Sequence, residues 1–400
     1  MASHPYKYRR FPDFPDSEYE ARYTKLRAQM PALGVEAVIL TTEADIRYFT
    51  GFKTVVFRLK MRPMFAILPA DTRRAPVLVI PEFLEACALA TSWVTDIRTA
   101  TECYGRQNQE AVDILIGVLK DMGLDKAAIG MEFGAAQHLA MNQNQWAQLQ
   151  AGLPGARWLD ASPAIWACRR VKSDLEVDAI RTACDISAAG VLAGFRVLRA
   201  GLTEAQLYRE IAATYYKEGA EDHLLGIHST AKGNQVRDSL PSDYPFERGH
   251  FMKIDGGAIY KGYCCDFCRL LFVGPASSAR RRALDASAEA FWAAAGAIRP
   301  GVQVSDLHPR VDSLLDARGY GCFWNAIGHG LGLDVWEPPI LLRDNNDRLE
   351  EGNVLSIEIG VVDPTLFQDA SFTYEDNIVV TAFGYSRLTN KLQMEPMESN

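Results

Sequence analysis

A repeat inside the second half of the chain constrains its fold more than any other feature. Leu198-Arg199-Ala200-Gly201-Leu202 returns one hundred residues later as Ile298-Arg299-Pro300-Gly301-Val302. At the same offset Leu207 meets Leu307, Ile211 meets Val311, Gly219 meets Gly319 and Ile227 meets Ile327. Slightly further on, Lys253-Ile254-Asp255-Gly256-Gly257 is matched by Ser356-Ile357-Glu358-Ile359-Gly360, and Cys265-Asp266-Phe267 by Tyr374-Glu375-Asp376. Such self-similarity predicts two copies of one helix–helix–strand unit.

Each copy places two carboxylates in or beside apolar strands, where a lone buried anion costs several kcal/mol. Asp255, Asp266, Glu358 and Glu375 therefore need a partner cation. The segments Met252–Asp255 and Tyr263–Val273 predict a hairpin turning at Tyr260-Lys261-Gly262, with the two aspartates side by side. With Glu358 and Glu375 from the other copy, the four carboxylates converge. Two divalent cations balance them, and carboxylate oxygens suit Mn, Fe, Co or Zn. A fifth ligand is available in His329, inside Gly328-His329-Gly330-Leu331-Gly332, where glycines allow close backbone approach. Two such metals lower the pKa of a water and polarise a scissile bond, with Glu358 placed to accept a proton.

Composition narrows the class further. Lys+Arg 42 against Asp+Glu 50 gives a net charge of -8, which disfavours nucleic-acid or acidic-membrane binding. No apolar run approaches the roughly 20 residues of a spanning helix, and the basic start has no apolar stretch after it. A cytoplasmic protein is the expectation. The eight cysteines are few for this length and three are bunched as Cys264, Cys265 and Cys268, so they read as reduced thiols, and a zinc knuckle there lacks a second Cys/His pair at matching distance.

Four hundred residues favour two domains, here 1-165 and 166-400. The first half alternates helix and strand, the α/β pattern. Ser17 and Glu20 predict a capping box for a helix stopping near Met30, before Pro31. Strands are expected at Glu36–Leu40, Ile46–Phe49, Met64–Leu68, Val77–Ile80 and Ala127–Met131, and helix around Val112–Leu119. This half gathers no chemistry-bearing cluster, so it reads as a packing or dimerisation domain. A second capping box, Ser173-Asp174-Leu175-Glu176, opens a long helix whose end is expected at Gly201.

The order Asp255, Asp266, His329 in Gly-His-Gly-Leu-Gly, Glu358, and Glu375 in Tyr-Glu-Asp-Asn resembles the five-ligand ladder of the creatinase / aminopeptidase P / prolidase family. Leu40-Thr41-Thr42-Glu43-Ala44-Asp45-Ile46-Arg47-Tyr48-Phe49-Thr50-Gly51-Phe52 and Arg169-Arg170-Val171-Lys172-Ser173 are similar to that family too. The resemblance covers nearly the whole chain. It implies a creatinase-like N-terminal α/β domain, a C-terminal pita-bread domain with an internal pseudo-twofold, and a homodimer.

The chain departs from the family's proline peptidases at three positions. They carry two further histidines beside the metals, which help to bind substrate. Asp238 stands at the first, in Asp238-Ser239-Leu240-Pro241-Ser242-Asp243-Tyr244-Pro245, and Trp336 at the second, in Asp334-Val335-Trp336-Glu337-Pro338. Thr373 stands where an arginine is usual. A carboxylate and an indole in place of two imidazoles favour a cation, by charge and by ring face. The expectation is a hydrolase of a C–N bond in a small cationic or zwitterionic substrate. A lyase resembling dimethylsulfoniopropionate lyase, an Xaa-Pro peptidase and a non-enzymatic binding module are the other readings.

Overall fold

The computed structural model describes residues 9–59, 62–101, 109–229, 231, 239–362 and 372–399. They form two compact units, 1–169 and 170–400.

The first unit is a six-stranded mixed sheet, β1 Ala37–Leu40, β2 Phe65–Pro69, β3 Val77–Pro81, β4 Asp96–Ala100, β5 Ala128–Met131 and β6 Arg157–Asp160, in the order β4-β3-β2-β1-β5-β6. Its helices are α1 Asp16–Leu33, α2 Glu43–Thr50, α3 Glu85–Thr91, α4 Gln109–Asp121, α5 Gln143–Gly152 and α6 Ser162–Arg169. Strands β1, β2, β3 and β5 are buried along their length, which explains their unbroken apolar runs.

Two sequence expectations fail here. Ile46–Phe49 belongs to helix α2 rather than to a strand, because the Thr42 hydroxyl accepts the Asp45 N–H and Gly51 closes the helix at φ 75°. A four-residue apolar run has no period of its own, so caps decide. Helix α1 has no Ser17 capping box: it starts at Asp16 behind Pro15 and passes through Pro31 to end at Gly34. The proline falls in the last turn, and Gly34 in the left-handed region ends the helix three residues later.

The second unit shows the two copies. The first contributes α7 Asp174–Val197, α8 Glu204–Lys217, β7 Asp222–Ser229, β8 Phe251–Tyr260, β9 Tyr263–Cys264 and β10 Phe267–Val273. The second contributes α9 Ser278–Ala295, α10 His308–Ala317, β11 Gly321–Cys322, β12 Gly328–Gly330, β13 Val354–Val362 and β14 Phe372–Thr381, with β15 Gly384–Arg387 and β16 Met397–Ser399 following. Their sheet runs β11-β13-β14-β10-β8-β7, so the copies meet where β10 lies against β14. Leu207 and Leu307, Ile211 and Val311, and Ile227 and Ile327 are all fully buried. Gly201 and Gly301 take φ of 84° and 86°.

Local sequence sets these helices. The Ser173–Glu176 capping box is formed in both directions, although α7 stops at Val197, short of Gly201. A Cβ at Gly190 would lie 2.2 Å from a Tyr215 ring atom, so a residue without one lets α7 and α8 close on each other. Helix α9 turns Ala283, Ala286, Ala290 and Ala294 into a core with Ile357, Ile359 and Ile378. The C-terminal segment ends in β16, parallel to Leu271–Val273 of β10.

Candidate metal centre

Register builds the site. Asp255 on β8 stands opposite Cys268 on β10, Cys268 opposite Glu375 on β14, and Glu375 opposite Glu358 on β13. Directly paired residues share a face, so one line across four strands carries three carboxylates and a thiol. Behind this line the buried Arg269 guanidinium donates to the carbonyls of Cys268 (2.8 Å), Glu375 (2.9 Å) and Gln393 (2.8 Å), which clamps β10 to β14.

Asp266 lies just before β10, where the strands part. The Asn377 side chain replaces the missing ladder bonds: its Oδ1 accepts the Asp266 N–H at 3.0 Å and its Nδ2 donates to the Asp266 carbonyl. The hairpin turn forms as expected, with Tyr260 opposite Tyr263 and positive φ at Lys261 and Gly262. The two aspartates are not directly side by side, however. Asp255 faces Cys268, which places Asp266 diagonally across the ladder.

His329 is the middle residue of β12, opposite Ser356. Gly328 approaches so closely, at φ 143°, that a Cβ would lie 2.1 Å from the Ser356 carbonyl oxygen. The imidazole Nδ1 sits 3.0 Å from the Gly330 carbonyl, which fixes the proton on Nδ1 and leaves the Nε2 lone pair 3.4 Å from Asp266 Oδ2. Burial, the largest influence, holds the His329 pKa below its ordinary value, which favours the neutral ring that can ligate.

Two triads emerge, Asp266, His329 and Glu375, and Asp255, Glu358 and Glu375, each with ligand atoms within 4.8 Å of one another. Glu375 belongs to both. Its Oε1 is 2.8 Å from the Ser356 hydroxyl, while its buried Oε2 has no hydrogen-bond partner among the described residues. Burial first, and then the neighbouring carboxylates, push the Asp266 and Glu375 pKa values well up. An orphaned carboxylate oxygen, an unprotonated ring nitrogen facing a carboxylate, and crowded anions are what divalent cations would satisfy. The donor set of oxygens with one imidazole fits Mn, Fe, Co or Zn.

The triads differ in exposure. Asp266 and His329 side chains are 7% and 3% exposed, Asp255 and Glu358 23% and 15%. The open edge also carries a residue that sequence reasoning passed over. Lys253, buried two residues before Asp255, places Nζ 2.8 Å from Asp255 Oδ2 and 3.8 Å from Glu358 Oε1, and donates to Thr373 Oγ1 at 3.3 Å. A lysine inside an apolar strand was the available signal, since such a cation is rarely buried unless paired.

Of the residues expected on the substrate side, Asp238 lies outside the described residues. Trp336 is 61% exposed, and its ring stacks on His329 with centroids 4.8 Å apart and planes 23° apart. The loop bearing it is held by Glu337, whose buried carboxylate meets Lys172 Nζ at 3.1 Å and accepts the Asp334 N–H at 3.1 Å. His223 is packed among Tyr208, Tyr215 and Tyr216, with its Nε2 3.0 Å from the Tyr208 hydroxyl.

Residues 178–382 match metallopeptidase family M24, and residues 22–171 match the creatinase/prolidase N-terminal domain. The chain is 28% identical over 362 residues to an uncharacterized peptidase of Staphylococcus aureus (strain bovine RF122 / ET3-1), covering 89% of this chain and 95% of that protein. Among solved structures, the dipeptidase PepE from Mycobacterium ulcerans superposes with a TM-score of 0.78 at 26% identity, over 96% of this chain and 99% of that one. An Xaa-Pro dipeptidase from Bacillus anthracis gives 0.80 at 20% identity, over 95% and 100%. The expected architecture, a creatinase-like N-terminal domain followed by a pita-bread domain, is borne out. The chain belongs to metallopeptidase family M24 and is a metal-dependent hydrolase of that family.

Proposed function

We propose that the chain hydrolyses a C–N bond, amide or amidine, in a small cationic or zwitterionic substrate. In this reading Asp266, His329 and Glu375 hold one divalent ion, and Asp255, Glu358 and Glu375 hold a second. When bound, the ions supply Lewis acidity to a water and to the bond being cleaved. The remaining work falls to the chain's own residues. Glu358, on the open edge, accepts the proton of the attacking water on a carboxylate oxygen and returns it to the leaving nitrogen. Glu375, fixed by Ser356, holds its second oxygen toward the centre. Asp238 attracts the substrate's positive charge and Trp336 offers it an aromatic face.

The observation that carries this reading is the exposed Trp336 indole stacked on His329, at the position where the family's proline peptidases carry a second histidine. A proton-NMR time course of manganese- or iron-loaded protein tests it, with an Xaa-Pro dipeptide, creatine, ectoine and dimethylsulfoniopropionate in one mixture. Consumption of a charged non-peptide alone is expected, and the product separates hydrolase from lyase. Consumption of the dipeptide alone would overturn the cationic-substrate reading. It would favour the second reading, an Xaa-Pro peptidase, which the names of the structural neighbours support. A homodimer built through the N-terminal domain and a cytoplasmic location belong to the same reading.

A further inference from the structure

The centre contains a cation of its own. Four carboxylates balance two divalent ions, and Lys253 adds a fifth positive charge to that count. Its ammonium is buried, only 4% exposed at the side chain, and is bound to the centre rather than to solvent. Its direct contacts fall on the open edge, although its charge also reaches Asp266 and the shared Glu375. Asp255 and Glu358 lie 2.8 Å and 3.8 Å from Nζ, and both belong to the open-edge triad. No contact of Lys253 with Asp266 or His329 is among its hydrogen bonds and ion pairs. Thr373, the third partner, offers only a hydroxyl, so it fixes the ammonium without neutralising it.

We propose that Lys253 is a resident counter-ion of the Asp255–Glu358 edge and makes the Asp255, Glu358, Glu375 site bind a divalent ion more weakly than the Asp266, His329, Glu375 site. An incoming ion on Asp255 must share that carboxylate with an ammonium already bound to it. The repulsion acts where little water reaches to screen it. Among the described residues no ammonium is bound directly to Asp266 or His329, so the competition falls first on Asp255. Lys253 is therefore a positioning residue that sets occupancy. The inference rests on the reading that these residues bind divalent ions.

The test is equilibrium dialysis of the metal-free full chain against graded free Mn2+, with bound manganese counted by mass spectrometry. Wild type is expected to fill one site first and to need about tenfold or more higher free Mn2+ for the second. Lys253→Met is expected to tighten the second step by about tenfold or more and to leave the first within about threefold. Lys253→Arg, which keeps the charge, is expected to retain the wild-type separation. Lys253→Gln, with Mn2+-dependent thermal unfolding as the readout, serves if Lys253→Met does not fold. A second step that is unchanged or weaker in the uncharged variants would overturn the proposal while leaving the metal reading intact. No bound manganese in any of the proteins would remove both.

Discussion

Trp336 stacks on His329, ring centroids 4.8 Å apart, with the indole exposed and the imidazole buried beneath it. The two rings divide the labour: one nitrogen faces the carboxylates, and the outer ring faces whatever enters. Trp336→Ala is expected to raise KM for a cationic substrate by about two- to fivefold, the worth of one exposed cation–π contact of ~0.5–1 kcal/mol. Mn2+ affinity at the His329 site should change by less than about threefold. Steady-state kinetics and metal titration on the same preparation check both.

Glu375 is the only residue shared by the two triads. Glu375→Gln is therefore expected to lower bound manganese at both sites, whereas Asp255→Asn should affect one. In the metal-free protein near neutral pH the same Glu375→Gln change should stabilise by about 1–3 kcal/mol, since the wild-type carboxyl must there either ionise among like charges or hold a proton that the unfolded chain releases. Urea unfolding with and without Mn2+ should show this crossing of sign.

Glu337 ties the Trp336 loop to Lys172 through an ion pair in which both side chains are 1% exposed. Removing one partner leaves the other charge buried, so Glu337→Ala is expected to cost about 3–5 kcal/mol. Because the carboxylate also anchors the Asp334 N–H, this variant should lose metal retention at the His329 site as well. Dialysis followed by metal analysis separates that loss from simple unfolding.

The first unit has its own pH-sensitive group. Burial, with the neighbouring Asp45 second, pushes the Glu132 pKa well above its ordinary value, although the hydroxyls of Thr41 and Thr42 donate to it. A carboxyl whose folded pKa is raised contributes stability that is fully present below its unfolded pKa and is lost as pH rises through the folded one. Glu132→Gln should therefore flatten the fall in stability as pH rises above the ordinary carboxylate range. Thermal unfolding of wild type and variant across that range measures the difference; parallel curves would contradict it.

The sequence by itself determined the two copies and singled out the four carboxylates and His329 that the sheet gathers into two triads. Burial recurs at fixed spacing in helices, and a carboxylate in an apolar strand is conspicuous however the strand pairs. It also located the start of α7 at the Ser173–Glu176 capping box, although the same four-residue signature at Ser17 formed no cap. Tertiary structure decided what depends on partners distant in the chain. Ile46–Phe49 became helix through Thr42 and Gly51 rather than through its own pattern. The register of β8 on β10 set Asp255 opposite Cys268 and moved Asp266 to the diagonal. Asn377 and Ser356, more than eighty residues from Asp266, hold its backbone in the gap between strands. Lys253 shares its strand with Asp255, yet its place in the centre became legible only once Glu358 and Thr373 arrived from the second copy. A charge in a sequence has no partner until the sheet supplies one.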